Sequence, residues 1–138
     1  MAEDRPVPEI CVSAVVVDDD RLLLVRRGRG LAQGTWAIPG GRVCGGEMLA
    51  EAVVRELLEE TGIEGVCGNL IGVIELLDDG PHQVVLGYDV TLMEAVDPVA
   101  GDDAAEARWV PLSDVADFAL APGLAEFLHD NHVIATIT

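Results

Sequence analysis

Hydrophobic residues along the chain occur in two kinds of spacing, and the shorter runs predict β-strands. These runs are rich in β-branched and aliphatic residues, which fit the pleated surface of a sheet. The predicted strands are 10–17, 21–27, 66–77 (one or two short strands), 83–93 and 108–110. The polar triplet Asp18-Asp19-Asp20 predicts a turn, so the first two strands should form a hairpin.

One longer stretch, from about Gly46 to Thr61, has the spacing of an amphipathic helix. Gly62 follows it where a left-handed cap is favoured. Shorter helices are predicted at 114–118, capped by Ser113, and at 122–131. The apolar stripe of the last helix comprises Leu124, Phe127 and Leu128. Strands arranged around a single long central helix predict the α/β class, with a mixed sheet between helices.

The long helix carries three carboxylates, Glu56, Glu59 and Glu60, at relative positions 0, +3 and +4. These positions lie within roughly 100° of one another and share one face. Like charges at this spacing repel by a few tenths of a kcal/mol per pair. The face is therefore either solvated or holds a cation. The apolar residues predicted on the opposite side are Ala50, Val54, Leu57 and Leu58.

The carboxylates belong to a longer pattern with fixed gaps. The glycine pair Gly40-Gly41 precedes them, Glu47 is predicted to open the helix, and Arg55 follows eight residues later, where the two side chains can pair across two turns. The fixed positions are Gly41, Glu47, Arg55-Glu56-Leu57, Glu59-Glu60 and Gly62-Ile63. This 23-residue pattern resembles the Nudix box of the Nudix hydrolases at every defined position, and the flanking 36–40 segment is similar to the lead-in of that family.

The resemblance implies a fold and a set of residue roles. The implied fold is an α/β/α sandwich with a mixed sheet and one long catalytic helix. Glu59 and Glu60 would bind the metal ions, and Glu56 would bind a metal or take a proton from water. The Gly41 carbonyl would complete the coordination. Arg55 would orient the carboxylates, and Glu47 would hold Arg55 or a further metal.

The metal expected at such a site is Mg²⁺, with Mn²⁺ as an alternative. Mg²⁺ prefers hard oxygen ligands and needs only a few carboxylates, because it keeps several of its waters. The residues alone predict only an acidic cluster able to hold a hard metal ion.

One position departs from many members of the family, since Cys44 stands where they carry a glutamate three residues before Glu47. A thiol is too soft to replace that carboxylate for Mg²⁺. The residue is either a small loop residue or a redox-sensitive thiol.

Two groups of residues outside the pattern are candidates for substrate contacts or catalysis. Arg27, beside the glycine-rich segment 28–34, and Arg42 are predicted to bind substrate phosphates, although solvated arginines are the plainer alternative. Many family members also use an acid from a distant downstream loop. The loop predicted at 94–106 offers Asp102, Asp103 and Glu106. Glu106 or Asp103 is favoured, and Glu106 is the chosen candidate.

Composition limits the partners of the chain. The 138 residues, expected to form one domain, carry 25 acids and eight arginines but no lysine, for a formal charge of −17. Such a field disfavours binding to nucleic acid or to an anionic membrane, and it repels phosphate substrates unless metal ions intervene. The N-terminus has no signal-peptide pattern, and the three cysteines show no CxxC spacing. A cytoplasmic protein with reduced thiols is expected, and family resemblance suggests a homodimer.

The function expected from this resemblance is Mg²⁺-dependent cleavage of the pyrophosphate in a nucleoside diphosphate linked to another group. ADP-ribose or a related nucleotide sugar is favoured, because the segment 102–112 resembles bacterial Nudix proteins of the ADP-ribose pyrophosphatase type. One alternative is a nucleoside triphosphate pyrophosphohydrolase of the 8-oxo-dGTP type. Another, from a different class, is a Nudix sensor that binds a nucleotide without cleaving it.

Overall fold

The computed structural model describes residues 7–30, 32–77, 80–101 and 103–135. The elements in chain order are β1 (Glu9–Asp18), β2 (Arg21–Arg27), β3 (Trp36–Ala37), β4 (Gly40–Arg42), α1 (Leu49–Thr61), β5 (Gly65–Leu76), β6 (Gln83–Leu92), β7 (Ala104–Pro111), a 3₁₀ helix (Leu112–Asp117) and α2 (Leu124–Asp130).

The strands form a mixed sheet, as predicted. The order is β3-β2-β1-β6-β5, with β4 joined to β1 and β7 joined to β2. Strands β1 and β6 are parallel, pairing Glu9 with Gln83 and Val16 with Val90 at the two ends. The other pairs are antiparallel. The predicted hairpin of the first two strands is confirmed, with Asp19 and Asp20 at positive φ in its turn.

Two apolar clusters lie on opposite faces of the sheet, one under α1 and one under α2. Single strands contribute residues to both clusters. Along β1, Val12, Ala14 and Val16 pack with α1, whereas Val15 packs with α2 and the 3₁₀ helix. Alternation is the rule for a strand whose two faces are both covered. The predicted stripe of the last helix, Leu124, Phe127 and Leu128, is buried as expected.

Several predicted boundaries were wrong. Strand β7 begins at Ala104 rather than at residue 108, so Glu106 lies in a strand and not in a loop. The segment predicted at 66–77 as one or two short strands is one long strand, Gly65–Leu76, with register shifts. Ser113 lies inside the 3₁₀ helix, whose N-cap is Pro111, and no side chain caps it. Helix α2 begins at Leu124, after Gly123 at φ 80°. The segment Asp78-Asp79-Gly80-Pro81 has the composition of a turn, but its first two residues lie outside the described residues.

Helix α1 also starts later and faces differently than predicted. It begins at Leu49, because Gly46 has φ 83° and interrupts helical backbone, and it ends at the predicted left-handed Gly62. The buried residues are Ala52, Val53, Leu57 and Thr61. Of the four predicted apolar residues only Leu57 is buried; Ala50 and Leu58 are exposed and Val54 is half-buried. The buried face thus adjoins Glu56 and Glu60, which are half-buried rather than fully solvated.

Leu57 and Leu58 allow a matched test of the helix orientation. Leu57 is 0% exposed and Leu58 is 47% exposed. Leu57→Ala should lower the free energy of unfolding by roughly 2–5 kcal/mol, because it removes buried methyl groups and leaves a cavity. Leu58→Ala should change it by about 0.5 kcal/mol or less. Denaturant unfolding measures both, and equal losses would contradict the orientation of α1.

Candidate active site

Arg55 is the centre of the site, and its guanidinium bonds to four other residues. Its Nε and Nη2 atoms donate to the two oxygens of Glu47 at 2.6 and 3.0 Å. Nη1 donates to Glu56 Oε2 at 2.9 Å and to Glu59 Oε1 at 3.1 Å. Nη2 also donates to the backbone oxygen of Arg42 at 3.1 Å. The planar guanidinium therefore fixes two helix carboxylates, a loop carboxylate and a strand in one arrangement.

Glu47 was expected to open the helix, but it lies in the turn before α1. The pairing with Arg55 forms nevertheless, because the turn folds back over the helix. The backbone N–H of Cys44 donates to Glu47 Oε1 at 3.0 Å. The hydrogen bond from Arg55, followed by the one from Cys44, lowers the pKa of Glu47 to about 2. The same pair raises the pKa of Arg55 above its ordinary value, so both groups are charged throughout the physiological range.

Strand β4 brings the glycine pair against the carboxylates of α1. It is held in place by antiparallel pairing with β1, where Gly41 is opposite Val12. A Cβ atom on Gly41 would lie 2.5 Å from the Glu56 carboxylate, so any larger residue would force that carboxylate to move. The backbone N–H of Gly40 donates to Glu60 Oε1 at 2.7 Å. The close approach of the Glu56 carboxylate to Gly41 accounts for the glycine at position 41 of the pattern.

The donor atoms gathered here fit a hard divalent ion. Three carboxylates, Glu56, Glu59 and Glu60, and the carbonyl of Gly41 would offer a metal ion oxygen atoms only, and Glu56 fills the space that a Cβ on Gly41 would take. Within the described ranges, no three acidic, histidine or cysteine side chains are already gathered around a single point. Glu56 and Glu59 are instead bonded to Arg55, and Glu60 to Gly40.

A cleft of about 300 Å³ adjoins the carboxylates on the α2 side of the sheet. Glu60 and Gly41 line it at one side, together with Arg27 and Arg42, the two arginines predicted to bind phosphate. The structure thus brings these four residues to one cavity. Its remaining walls are largely aliphatic.

The downstream acids are distributed differently from the expectation. Glu106, the chosen candidate, bonds to Arg108 at 2.9 Å and pairs with Arg26 at 3.7 Å, and it does not line the cleft. Asp103 does line the cleft, and it accepts a hydrogen bond from Arg29 Nε at 2.6 Å. Asp102 lies outside the described residues.

The segment before β7 forms backbone hydrogen bonds to the end of α1 and to the residue after β2. The sequence analysis did not predict these contacts. Gly101 N–H donates to the backbone oxygen of Glu60 at 3.0 Å, and Val99 N–H donates to that of Thr61 at 2.8 Å. At the other side, Gly28 N–H donates to the backbone oxygen of Asp103 at 2.9 Å. An added Cβ on Gly101 would collide with the backbone of Glu59. The isolated glycine in an acidic loop was the only signal of this approach.

Cys44 is exposed in the turn that precedes α1. Its backbone N–H donates to Glu47 Oε1 at 3.0 Å, and its carbonyl oxygen accepts from the Glu47 N–H at 3.0 Å. Any residue except proline can make both bonds.

Comparison with known proteins agrees with this geometry. The family model described as the NUDIX domain matches residues 7–130. The chain belongs to the NUDIX family. It is a Nudix hydrolase, an enzyme class that acts on pyrophosphate bonds and generally uses divalent metal ions. In the part of the chain that the structure describes, no helix is long and apolar enough to span a bilayer.

Three relatives illustrate the similarity. The ADP-ribose pyrophosphatase of Methanocaldococcus jannaschii is 34% identical over 117 residues, covering 81% of this chain and 67% of that protein. The putative 8-oxo-dGTP diphosphatase 3 of Mycobacterium tuberculosis is 33% identical over 101 residues, covering 67% of this chain and 44% of that protein. The crystal structure of a MutT protein from Methanosarcina mazei has a TM-score of 0.84 at 26% identity, covering 96% and 97% of the two chains.

The contact between Gly41 and Glu56 predicts a large effect of one methyl group. Gly41→Ala should displace the Glu56 carboxylate and slow metal-dependent hydrolysis by about 100-fold, since a shift on the order of 1 Å in a catalytic group has that cost. Gly45→Ala is the matched control, because a Cβ on Gly45 meets no atom within 4 Å. Steady-state rates of both variants test this, and equal rates would exclude the contact as a determinant of activity.

The lowered pKa of Glu47 predicts a pH-dependent contribution to stability. A carboxyl whose folded pKa is about 2, below its ordinary 4.5, stabilises the fold above pH 4.5 and loses that effect as the pH falls towards 2. The difference in unfolding free energy between the wild type and Glu47→Gln should therefore be constant above pH 4.5 and shrink below it. Denaturant unfolding at successive pH values measures the difference. Glu64→Gln, an exposed residue outside the network, controls for the loss of one charge.

Proposed function

We propose that this protein is a Mg²⁺-dependent hydrolase that cleaves the pyrophosphate of a nucleoside diphosphate linked to another group. ADP-ribose, or a related nucleotide sugar, is the proposed substrate. The observation that carries the proposal is the junction at Glu60, which lies among the helix carboxylates and also lines the arginine-rimmed cleft. A volume of about 300 Å³ is at the lower end of the range for small-molecule sites.

Arginines gather around the cleft, although the chain as a whole is acidic. Half of the eight arginines line it: Arg26, Arg27, Arg29 and Arg42. Three of them have acidic partners, in Glu106, Asp103 and Glu9. Arg27 has no ion-pair partner among the residues described, so its guanidinium is available for a phosphate. A rim in which arginines balance the nearby acids would let an anionic substrate approach a chain whose net charge is −17.

Each group of the site has a proposed task. Glu56, Glu59 and Glu60 would hold the metal with the Gly41 carbonyl, and Arg55 keeps their positions. A bound Mg²⁺ would neutralise charge on the pyrophosphate and lower the pKa of a water. Arg27 and Arg42 would bind the phosphate oxygens. Glu56, or Asp103 at the cleft, would take the proton of the attacking water; Asp103 is favoured over Glu106 because it lines the cleft.

A second candidate is hydrolysis of a nucleoside triphosphate to the monophosphate and pyrophosphate. The relative from Mycobacterium tuberculosis, named a putative 8-oxo-dGTP diphosphatase, supports it. The relative from Methanocaldococcus jannaschii, named an ADP-ribose pyrophosphatase, supports the first candidate and covers more of this chain.

A cytoplasmic location and a homodimeric state are also part of the proposal. The cysteines are free thiols, which supports a reducing, cytoplasmic location. Strand β5 is an outer strand at one end of the described sheet and exposes Leu70 and Val73, which supports a homodimer formed through that edge. Sedimentation analysis would measure the dimer.

Glu60→Gln tests the proposed activity. Its amide oxygen can still accept the Gly40 hydrogen bond, so the fold should be kept, but the lost charge should lower turnover by orders of magnitude. The assay incubates wild type and variant with ADP-ribose, nucleotide sugars and 8-oxo-dGTP in Mg²⁺, and identifies the nucleotide products by chromatography. AMP and ribose 5-phosphate from ADP-ribose are expected from the wild type.

Other products decide between the alternatives. A monophosphate and pyrophosphate from the triphosphate alone would favour the second candidate. Tight binding without any product would favour a nucleotide sensor. Unchanged turnover in Glu60→Gln would remove that residue from the metal site. Glu64→Gln again serves as the control for a changed surface charge.

A further inference from the structure

A chain of three polar side chains runs along the cleft, away from the carboxylates. Arg42 Nη1 lies 3.5 Å from Glu9 Oε2, and Gln83 Nε2 donates to Glu9 Oε1 at 3.1 Å. The parallel pairing of β1 with β6 places Glu9 directly beside Gln83. Arg42 and Gln83 both line the cleft. Glu9 thus connects an arginine at the phosphate side of the cavity to an amide further along it.

The chemistry of Glu9 fixes which way the Gln83 amide points. An ionised carboxylate can only accept hydrogen bonds, so the Gln83 NH₂ group must face it. The carboxamide oxygen is then turned away from Glu9. Within the described residues, this oxygen has no hydrogen-bond partner. Gln83 therefore offers a pre-oriented hydrogen-bond acceptor. The hydrogen bond to Glu9 itself assigns the nitrogen and the oxygen of the amide.

The position of Gln83 suits the nucleoside end of a substrate. From strand and residue spacings, its Cα lies about 14 Å from that of Gly41, which is beside the carboxylates. The cleft between them is walled by aliphatic residues such as Ile74, Leu76 and Val85. No aromatic residue lines the cleft in the described part of the chain. A base held there has no ring to stack on, so its polar edge is the feature left to distinguish it.

We propose that the Gln83 carboxamide oxygen accepts a hydrogen bond from the exocyclic amino group of adenine, and that Gln83 thereby determines base specificity. The proposal rests on the function proposed above, because it assumes that the nucleoside lies in this cleft. It names the base edge, whereas the metal site and the arginines recognise only the phosphates.

Binding of two nucleotides that differ in one group tests Gln83 directly. AMP and purine riboside 5′-monophosphate, which lacks only the amino group, are titrated calorimetrically into the protein in EDTA, where no hydrolysis occurs. The wild type should bind AMP about tenfold more tightly, as expected for one hydrogen bond. Gln83→Leu should weaken AMP about tenfold, leave the analogue unchanged and bring the ratio close to one. Gln83→Met is a second variant without the amide.

Two further variants separate recognition from general damage. Gln33→Leu, the matched change at the other glutamine, which is exposed and outside the cleft, should keep the wild-type ratio. Glu9→Gln removes the group that orients the amide. The Gln83 NH₂ can then turn towards the ligand, so binding of IMP, which has an oxygen in place of the amino group, should tighten relative to AMP.

The outcomes for Gln83 and for the proposed function are distinguishable. A wild-type ratio near one, absence of AMP binding, or equal weakening of both nucleotides in Gln83→Leu would overturn the role of Gln83. Hydrolysis of ADP-ribose in Mg²⁺ is measured separately, and Gln83→Leu should raise KM about tenfold with kcat unchanged. Absence of hydrolysis with the expected binding ratios would reject the proposed function and keep Gln83 as a base-recognition residue.

Discussion

The hydrogen bonds of Arg55 are the interactions on which the rest of the site depends. One guanidinium holds Glu47 in the turn, Glu56 and Glu59 on the helix, and the backbone of Arg42 at the end of β4. Like-charged carboxylates would otherwise repel one another along one helix face. Arg55 offsets that repulsion and joins three separate segments, so the proposed metal site and the strand that borders the cleft are positioned by the same group.

Strand β4 lies between the carboxylates of α1 and the cleft and contributes residues to both. Because successive residues of a strand point to opposite sides, Gly41 faces α1 and its neighbours face the cleft. Gly41 leaves room for Glu56, whereas Arg42 reaches towards Glu9 at the start of β1. Pairing with β1 therefore places the proposed metal ligands and the proposed phosphate contacts within one short strand of each other. The parallel partner β6 extends the cleft side to Gln83.

Charge is distributed unevenly over the molecule, and the distribution bears on function. The chain carries −17 overall, yet half of its arginines surround one cleft. Most of these arginines have an acidic partner, which leaves the cavity balanced rather than strongly positive. Such a rim fits the proposed anionic substrate together with its metal ion.

The sequence by itself determined the family, the mixed sheet with its long helix, and the set of carboxylates, because these follow from local periodicity and from fixed spacings within 23 residues. The sequence pattern wrongly predicted that Glu47 lies in the helix and that the buried face of α1 is opposite Glu56. A helical pattern alone does not show which neighbouring elements cover each face of the helix. Only the tertiary structure decided that Asp103 rather than Glu106 lines the cleft, and that Gln83 joins it. Those placements arise from pairings between strands distant in sequence, which local pattern does not encode.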